Sequence, residues 1–262
     1  MNVVKSINNW QFYTSEMKKS LYDKMFFVDK IDDAGIIFDY GCGDGHLLGA
    51  LNYMYPEYFL FGYEESEDMI KRVPTTVGSR VGNLHISSDI NRISRIFQKT
   101  KDDRKTVLVL NSLLHELYSY KTKAEVDDFW KWVNAMEFDY ISIRDMYNPA
   151  YSVRSDEEVL NKVKNKYGPQ VEDYNNRWDN INYEYGLTHF LLKNRYIDNW
   201  QREVCEDYFS IPAAFWIKQL PNYAVEYKSV FCVPFIRKQI KKDLGIDWLV
   251  NTHIKLILKR ER

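Results

Sequence analysis

The feature that most constrains this chain is a bare turn between two apolar segments. Residues 38–48 are FDYGCGDGHLL, with glycine at the alternate positions 41, 43 and 45. The preceding GIIFDY predicts a buried strand, and the following HLLGALNYMY has the apolar spacing of a helix that Pro56 closes. Glycines permit a tight turn and the close approach of a ligand. A strand that runs through such a turn into a helix places the turn at the carboxyl edge of a parallel sheet, where open α/β sheets bind ligands.

The glycine turn begins a regular alternation of strand and helix patterns from residue 36 to residue 145. Further strands are predicted at YFLFGYE, LHISSD, KTVLVLNS and FDYISIRDM, and helices between them at SEDMIKRV, INRISRIFQK and KAEVDDFWKWVNAM. Such an alternation is typical of βαβ units, which build a parallel sheet with right-handed crossovers. The sequence therefore predicts an α/β protein.

The segments on either side of this alternation differ from it. Apolar residues at helical spacing predict an amphipathic helix, or a pair of helices, over about residues 8–30, with charged residues such as Lys24 on the polar faces. A charged, Tyr- and Asn-rich segment of mostly helical character follows the alternation, and the strand-like runs YAVEYKSVFCVPF and HIKLILKR come last. We expect a single domain over residues 1–262, made of an N-terminal helical segment (1–30), a core (31–149), a helical cap or insertion (150–222) and the last two strands (223–262).

Composition argues against several classes of protein. The chain has 36 Lys and Arg against 37 Asp and Glu, a net charge of −1, so it does not bind nucleic acid by bulk charge alone. Cys42, Cys205 and Cys232 are far apart and predict free thiols, neither a disulfide framework nor a zinc site. No apolar run approaches the roughly 18 residues of a membrane span, and the first residues lack the apolar region of a signal peptide. We expect a cytoplasmic protein with no membrane partner.

Two ligand classes suit Gly-x-Gly-x-Gly after a strand: dinucleotides and S-adenosylmethionine (AdoMet). The dinucleotide fingerprint has a third glycine where this chain has His46, which disfavours an NAD-linked oxidoreductase. Asp39, two residues before the first glycine, and the turn together resemble motif I of class I AdoMet-dependent methyltransferases. FGYEESEDMI, SSDI and VLVLNSLLHELYSY resemble the later motifs of that family in the same order, over roughly residues 30 to 146. The resemblance implies a Rossmann-like, seven-stranded, mostly parallel sheet with an antiparallel last strand, helices on both faces and a helical cap insertion.

The same resemblance implies a cofactor site at the ends of the first four strands. Its expected residues are Asp39, Gly41, Cys42, Gly43, Gly45, Glu64, Glu65, Asp89, Ile90 and Asn111. The glycine backbone would lie against the methionine part of AdoMet, with Asp39 near its ammonium group. Glu64 would accept hydrogen bonds from both ribose hydroxyls. Asp89 would accept from the adenine amino group beside Ile90, and Asn111 would close the site near the sulfonium.

Three of these residues have alternative roles that the sequence leaves open. Glu65 is adjacent to Glu64 and is the other candidate for the ribose, although position favours Glu64. Asp89 is also suited to be the N-cap of the next helix, and Asp39 to stabilise the turn.

Candidate catalytic residues follow the fourth and fifth strands. His115 is the predicted general base, because imidazole titrates near neutral pH, and Asp145 is the second candidate; each is also suited to packing or to holding its loop. The aromatic and arginine side chains of residues 150–222 are expected either to select the acceptor or to pack as a cap. Tyr13 and Lys19 are expected near the cofactor. No His-rich set is present, and we predict no metal site.

The sequence therefore predicts an AdoMet-dependent methyltransferase that releases S-adenosylhomocysteine (AdoHcy). A small-molecule acceptor is slightly favoured over RNA, because the charge is balanced. The Asn-Pro-Pro-aromatic motif of amino-directed DNA methyltransferases is absent, since Ser112 and Leu113 follow Asn111. The alternative from another class is a non-catalytic module that binds AdoMet or a partner with the same fold.

Overall fold

Seven strands form one sheet in the computed structural model, which describes residues 15, 18–73, 83–148, 151–178 and 181–261. The strands are β1 (Ala34–Tyr40), β2 (Phe59–Tyr63), β3 (Leu84–Ser87), β4 (Lys105–Asn111), β5 (Tyr140–Met146), β6 (Tyr223–Phe231) and β7 (His253–Arg260). Their order in the sheet is β3-β2-β1-β4-β5-β7-β6. The first five strands pair in parallel, and β7 pairs antiparallel with both β5 and β6. The predicted mostly parallel sheet with an antiparallel last strand is confirmed.

Helices connect and flank the strands as the alternation predicts. They are α1 (Leu21–Lys24), α2 (His46–Met54), α3 (Glu67–Ile70), α4 (Ile90–Thr100), α5 (Leu114–Tyr120), α6 (Lys123–Met136), α7 (Glu157–Asn175), α8 (Glu184–Asn194), α9 (Trp200–Glu203), α10 (Ala213–Lys218) and α11 (Pro234–Leu244). Local chemistry sets where they begin: Ser66 caps α3 by accepting the N–H of Met69, and Thr122 forms a capping box with Glu125 at α6. Within the described ranges, no helix is both long and apolar enough to cross a bilayer.

The sheet is covered on both faces, which explains its continuous apolar strands. Neighbouring residues of β1 enter different cores: Phe38 packs with Phe61 and Phe97 on one face, and Ile37 lies with Leu48 on the other. All five side chains are fully buried. Burial of each such side chain contributes about 1.5–3 kcal/mol relative to its exposure. These two cores hold β1 and β2 in place and so position the loops at their carboxyl ends.

The N-terminal helix is predicted over residues that the structure describes only in part. Tyr13 lies outside the described residues, and the part from Ser20 onward contains the single turn α1 followed by turns up to Lys30. Lys19 is exposed and does not line the cavity described below. Lys24 is only 8% exposed, so its assignment to a polar outer face was wrong. The side chain instead faces the carboxyl edge of the sheet.

A third core joins most of the 150–222 segment to α11. Its members include aromatic residues of the segment and apolar residues of α11: Tyr174, Phe190, Tyr208, Phe209, Ile236 and Ile240. Trp178, Tyr185 and Trp200 pack against this core. Trp216 of α10 instead packs in a core of the sheet with Tyr223. Most aromatic residues of the segment therefore build a core, and few remain to contact an acceptor.

Candidate functional site

A cavity of about 630 Å³ opens at the carboxyl ends of β1, β2, β4 and β5. Each of these strands supplies its last residue or the residues that follow it: Tyr40, Gly41 and Gly43 after β1, Tyr63 to Ser66 after β2, Asn111 to Leu113 after β4, and Arg144 and Met146 of β5. The other side of the cavity is formed by α1, by α5 and by the segment from Arg195 to Tyr208. Its size is typical of small-molecule sites.

The glycine turn has the left-handed backbone that its sequence indicates. Gly41, Gly43 and Gly45 have φ angles of 79°, 57° and 82°, a region that L side chains rarely adopt. A Cβ at Gly41 would lie 2.9 Å from Leu113 Cδ1, whereas a Cβ at Gly43 would meet nothing within 4 Å. Gly45 is the N-cap residue of α2. Open space therefore lies beside the backbone at Gly43, which lines the cavity.

Cys42 lies within the turn but its side chain faces the protein interior. A Cβ placed on Gly62 of β2 would come within 2.8 Å of Cys42 Sγ. The thiol is buried, and this burial raises its pKa well above the usual value. Neither Cys42 nor Gly45 lines the cavity.

Glu64 joins the end of β2 to the glycine turn. Its Oε2 accepts the N–H of Gly43 at 2.9 Å, and its Oε1 accepts the N–H of Ser66 at 2.8 Å. Burial raises the pKa of Glu64, and these two amide donors oppose that effect. The neighbouring Glu65 is instead 60% exposed and forms an ion pair of 2.7 Å with Lys121. Both acids line the cavity, but Glu64 is the one that contacts the glycine turn.

Asp39 lies behind the turn, beside a buried lysine. Asp39 is 4% exposed, and burial raises its pKa to about 7 against the opposing charge of Lys24. The pKa of Lys24 is lowered to about 8 by burial and then by Arg144, while Asp39 raises it. Lys24 lines the cavity and Asp39 does not. No carboxylate of the described residues forms an ion pair with Lys24, whose side chain lines the cavity.

Asn111 ends β4 at the floor of the cavity. Its Nδ2 donates to the carbonyl oxygen of Lys24 at 3.4 Å, a long contact. Its Oδ1 is buried and has no hydrogen-bond partner within the described part of the chain. A buried acceptor without a partner is costly, which indicates that a ligand donor belongs there.

Asp89 and Ile90 lie outside this cavity. Asp89 is exposed and caps α4, accepting the N–H groups of Asn91 at 2.9 Å and Arg92 at 3.0 Å. The N-cap role that the sequence left open is therefore the one observed. Neither Asp89 nor Ile90 lines the cavity between Gly43 and Glu64.

His115 and Asp145 form a buried pair at the other end of the cavity. His115 Nδ1 lies 2.5 Å from Asp145 Oδ1, and Asp145 also accepts the N–H groups of Leu113, Leu114 and Met146. Burial by itself lowers the pKa of His115, but the charge of Asp145 and the hydrogen bond to it raise that pKa to about 9. At Asp145, burial acts to raise the pKa. The charge of His115, the hydrogen bond to its ring and the N–H groups of Met146 and Leu114 outweigh burial and lower that pKa below its usual value. His115 lines the cavity, whereas Asp145 is fully buried behind it.

An arginine and three carboxylates surround His115. Arg202 forms ion pairs with Glu203 at 2.6 Å, Glu206 at 2.7 Å and Glu116 at 3.2 Å. Tyr120 donates to Glu206 at 2.6 Å. Ligand atoms of His115, Glu116 and Glu206 all lie within 4.8 Å of one another, a grouping that the sequence pattern did not reveal. Because Arg202 already binds both of these carboxylates, a metal ion would have to displace its guanidinium.

Six of the predicted residues therefore meet at one cavity: Gly41, Gly43, Glu64, Glu65, Asn111 and His115. Arg195 and Arg202, two of the arginines predicted to select the acceptor, also line it, whereas sequence reasoning missed Lys24, Phe235 and His253. These three residues come from α1, α11 and β7, and no local pattern links such distant segments. Of the aromatic side chains predicted to select the acceptor, Tyr196 and Tyr208 reach the cavity.

Comparison with known proteins gives structural matches. No family model and no curated protein sequence matches the chain. The methyltransferase domain of bacterial CtHen1 is similar, with a TM-score of 0.51 and 13% identity over 94% of this chain and 98% of that one. An SAM-dependent methyltransferase from Anabaena variabilis has a TM-score of 0.51 at 11% identity, over 100% of this chain and 99% of that one. Another from Archaeoglobus fulgidus has a TM-score of 0.51 at 13% identity, over 96% and 100% of the two chains.

Identities this low establish the fold and leave the activity to be argued from the site. The matches extend over nearly the whole of both chains, and the glycine turn follows β1 as the family resemblance implies. The chain therefore has the Rossmann-like fold of class I AdoMet-dependent methyltransferases.

Proposed function

We propose that this protein transfers a methyl group from AdoMet to a small-molecule acceptor. The observation that carries the proposal is the hydrogen bond between the Gly43 N–H and the Glu64 carboxylate at the edge of one cavity. A carboxylate suited to a ribose and a turn suited to the methionine part of the cofactor thereby meet at a single site. Residues 1–262 would form one domain, and the segment from Arg195 to Tyr208 would supply residues that contact the methyl acceptor.

The nucleoside end of the cofactor fits Glu64. Each oxygen of this carboxylate accepts one backbone N–H, so each keeps a lone pair for a hydroxyl group. Two adjacent hydroxyls on one ribose match the two oxygens, and bonds to an ionised acceptor are the stronger kind. Glu65 is turned to Lys121 and is not needed for this role.

The amino-acid end of the cofactor fits the buried charges near Asn111. The ammonium group of Lys24 would bind the carboxylate of AdoMet, and the buried Oδ1 of Asn111 would accept from its ammonium group. Asp39 lies behind the glycine turn and would stabilise that ammonium through its charge. A bound zwitterion would thus compensate both buried groups of this chain at once.

When bound, AdoMet would supply a methyl group on a sulfonium: a lone pair of the acceptor would form the new bond, the carbon–sulfur electron pair would stay on sulfur to give AdoHcy, and a proton on the attacking atom, where there is one, would leave to solvent. The residues of this chain hold the acceptor in line and exclude water. Asp145 fixes the His115 ring through Nδ1, which leaves Nε2 for the acceptor side. Because the pKa of His115 is raised to about 9, its ring is protonated at neutral pH. We therefore assign His115 the role of a hydrogen-bond donor that orients the acceptor, in place of the general base expected from sequence.

Radiolabelled AdoMet, incubated with cell extract and the protein, tests transfer and the acceptor class together. We expect label in the small-molecule fraction; label in RNA supports the alternative acceptor, and AdoMet binding without label in any fraction supports a non-catalytic module.

His115→Gln is expected to bind AdoMet and to lose transfer. The matched control is His85→Gln on β3, which is exposed and stacks on Phe61 outside the cavity.

A further inference from the structure

Two buried side chains at the acceptor end of the cavity each keep one polar atom that no group in the described part of the chain bonds. His115 is held by Asp145 through Nδ1, which leaves Nε2. Glu206 is 1% exposed, and its Oε1 accepts both from Tyr120 at 2.6 Å and from Arg202 at 2.7 Å, which leaves Oε2. His115 and Glu206 both line the cavity. Polar atoms in such positions indicate that a ligand group bonds them.

These two side chains are close enough to bond the same atom of a ligand. One polar atom of His115, one of Glu206 and one of Glu116 lie within 4.8 Å of one another. Two groups that each bond a common atom at about 2.8 Å are less than about 5.6 Å apart, so the spacing suits a shared ligand atom.

The two side chains offer one donor and one acceptor. Carboxylates lie on both sides of the His115 ring: Asp145 bonds Nδ1, and Glu116 and Glu206 lie nearby in the cavity. Burial lowers the pKa of His115, but the charge of Asp145, the hydrogen bond to it and the charges of Glu116 and Glu206 raise that pKa to about 9. The ring therefore carries a proton on Nε2 and donates it, whereas an ionised carboxylate only accepts.

A hydroxyl oxygen is the acceptor atom that can use both groups and still attack the methyl carbon. It has two lone pairs and one hydrogen. One lone pair accepts from His115, the hydrogen is donated to Glu206, and the second lone pair remains for the methyl group. An amine nitrogen has a single lone pair, which it cannot both share with His115 and use for attack, and an ammonium group has none.

Glu206 is the carboxylate of this group that is best placed to take a proton. Both oxygens of Glu203 are already bonded, Oε1 by Arg202 at 2.6 Å and Oε2 by the hydroxyl of Tyr208. Glu116 is the most exposed of the three, with 35% of its side chain open, and contacts Arg202 at 3.2 Å. Glu206 combines burial, a position on the cavity and an oxygen left for the ligand.

The surroundings of Glu206 also make it a stronger base than an ordinary carboxylate. Burial raises its pKa, the two neighbouring carboxylates raise it further, and Arg202 and His115 lower it. A group with a raised pKa takes a proton more readily from a weak acid such as a hydroxyl. The charged and titratable groups around it are Glu116, Glu203, Arg202, His115, Tyr120 and Lys193, whose Nζ donates to the backbone carbonyl oxygen of Glu206.

We infer that the methyl acceptor presents a hydroxyl group, whose oxygen accepts a hydrogen bond from His115 Nε2 and whose proton passes to Glu206 Oε2 during transfer. This inference rests on the proposed function and identifies the attacking atom and the group that takes its proton. The O–H bond breaks with its electron pair left on oxygen, an O–C bond forms, and the pair of the broken C–S bond stays on sulfur. Glu206 then releases the proton to solvent through the cavity. The products are a methyl ether, AdoHcy and a proton.

The bond in the product of the wild-type protein tests the acceptor class without any variant. The product labelled from radioactive AdoMet is heated with hydriodic acid, which releases an O-methyl group as volatile methyl iodide and leaves N-methyl and C-methyl groups in place. We expect the label to be released. Label that stays on nitrogen or carbon would overturn the inference. Label that mild alkali removes would also overturn it, because it marks a methyl ester, whose parent acid has no proton to give at neutral pH.

Two alanine variants test which carboxylate takes the proton. Glu206→Ala is expected to bind AdoMet and to transfer methyl groups about a hundredfold more slowly or worse. Formate fits the space that the carboxylate leaves and should restore part of the transfer in proportion to its concentration. Glu203→Ala keeps Glu206, so formate should not raise its rate. Undiminished transfer by Glu206→Ala, no effect of formate on it, or an equal effect on both variants would overturn the role of Glu206.

Glu206→Gln, which keeps the shape of the side chain, serves if Glu206→Ala does not fold, and it gives a readout other than transfer. The infrared difference between AdoHcy-saturated wild type and this variant should contain a protonated-carboxyl band that persists above the pH at which ordinary carboxyl groups ionise. A difference spectrum without that band would contradict the proposed base. Wild-type protein that binds no AdoMet or labels no product would instead contradict the proposed function, so the two failures are distinguishable.

Discussion

Replacement of Asp145 by Asn tests the buried pair that holds His115. Asp145 is fully buried and accepts hydrogen bonds from three backbone N–H groups, of Leu113 at 3.1 Å, Leu114 at 2.7 Å and Met146 at 2.7 Å, in addition to His115 at 2.5 Å. An amide has one acceptor oxygen, so the donors on the other side lose their partner. Removal of one member of a buried ion pair costs about 3–5 kcal/mol of unfolding free energy, and we expect a loss in that range near neutral pH.

The cost of this substitution should depend on pH. The pKa of His115 is raised from 6.5 to about 9 in the folded protein, and this difference corresponds to about 3 kcal/mol. A group whose folded pKa is raised stabilises the protein fully below its unfolded pKa, and the stabilisation is lost as the pH rises through the folded pKa. The destabilisation by Asp145→Asn should therefore shrink by about 3 kcal/mol between about pH 6 and about pH 9.5.

Urea unfolding followed by circular dichroism at the two pH values measures this difference. Asp89→Asn is the matched control, because Asp89 is an exposed N-cap and Asn caps helices about as well as Asp. We expect the control to change stability little at either pH. A cost for Asp145→Asn that is independent of pH, or no larger than that of the control, would refute the assignment of an ionised His115–Asp145 pair.

Three further predictions follow from the same structure. Gly43→Ala and Gly245→Ala each place a Cβ on a left-handed residue with open space around it, so each should cost about 1–2 kcal/mol in urea unfolding, and calorimetry should find weaker AdoMet binding for Gly43→Ala alone. Methyl transfer should be unchanged by EDTA, because Arg202 compensates the carboxylates near His115; loss of activity that Mg²⁺ restores would contradict this. Titration with a thiol reagent should modify Cys205 at least about tenfold faster than Cys42, whose pKa is raised by burial.

The sheet and the glycine turn were predictable because their signals are local. A buried apolar strand before the turn, positive φ at Gly41 and Gly43, and an acid at the end of the next strand each follow from neighbouring residues. The sequence favoured Glu64 over Glu65 by position alone, and the contacts support that preference, since Glu64 meets the turn and Glu65 meets Lys121. Asp89 caps a helix, the alternative role that the sequence left open, and its contact with adenine stays a prediction.

The acceptor side was not predictable, because its residues converge only in three dimensions. Lys24 has the sequence context of a solvated helix face, yet the short helix α1 turns it into the cavity. Arg195 and His253 are 58 positions apart in the chain and meet because β7 inserts between β5 and β6. Trp178 and Tyr185 resembled a binding surface in sequence, whereas they pack on the third core.

The central claim is that Glu64 and the glycine turn bind one nucleoside sulfonium, and calorimetric titration of AdoMet into Glu64→Gln and Glu65→Gln tests it most directly. Hydrogen bonds to a charged group contribute about 1.5–3 kcal/mol, so Glu64→Gln should bind AdoMet at least about tenfold more weakly than the wild type. Glu65→Gln, which alters only the exposed pair with Lys121, should bind like the wild type. Wild-type protein that binds no AdoMet, or two variants that bind it equally well, would contradict the account.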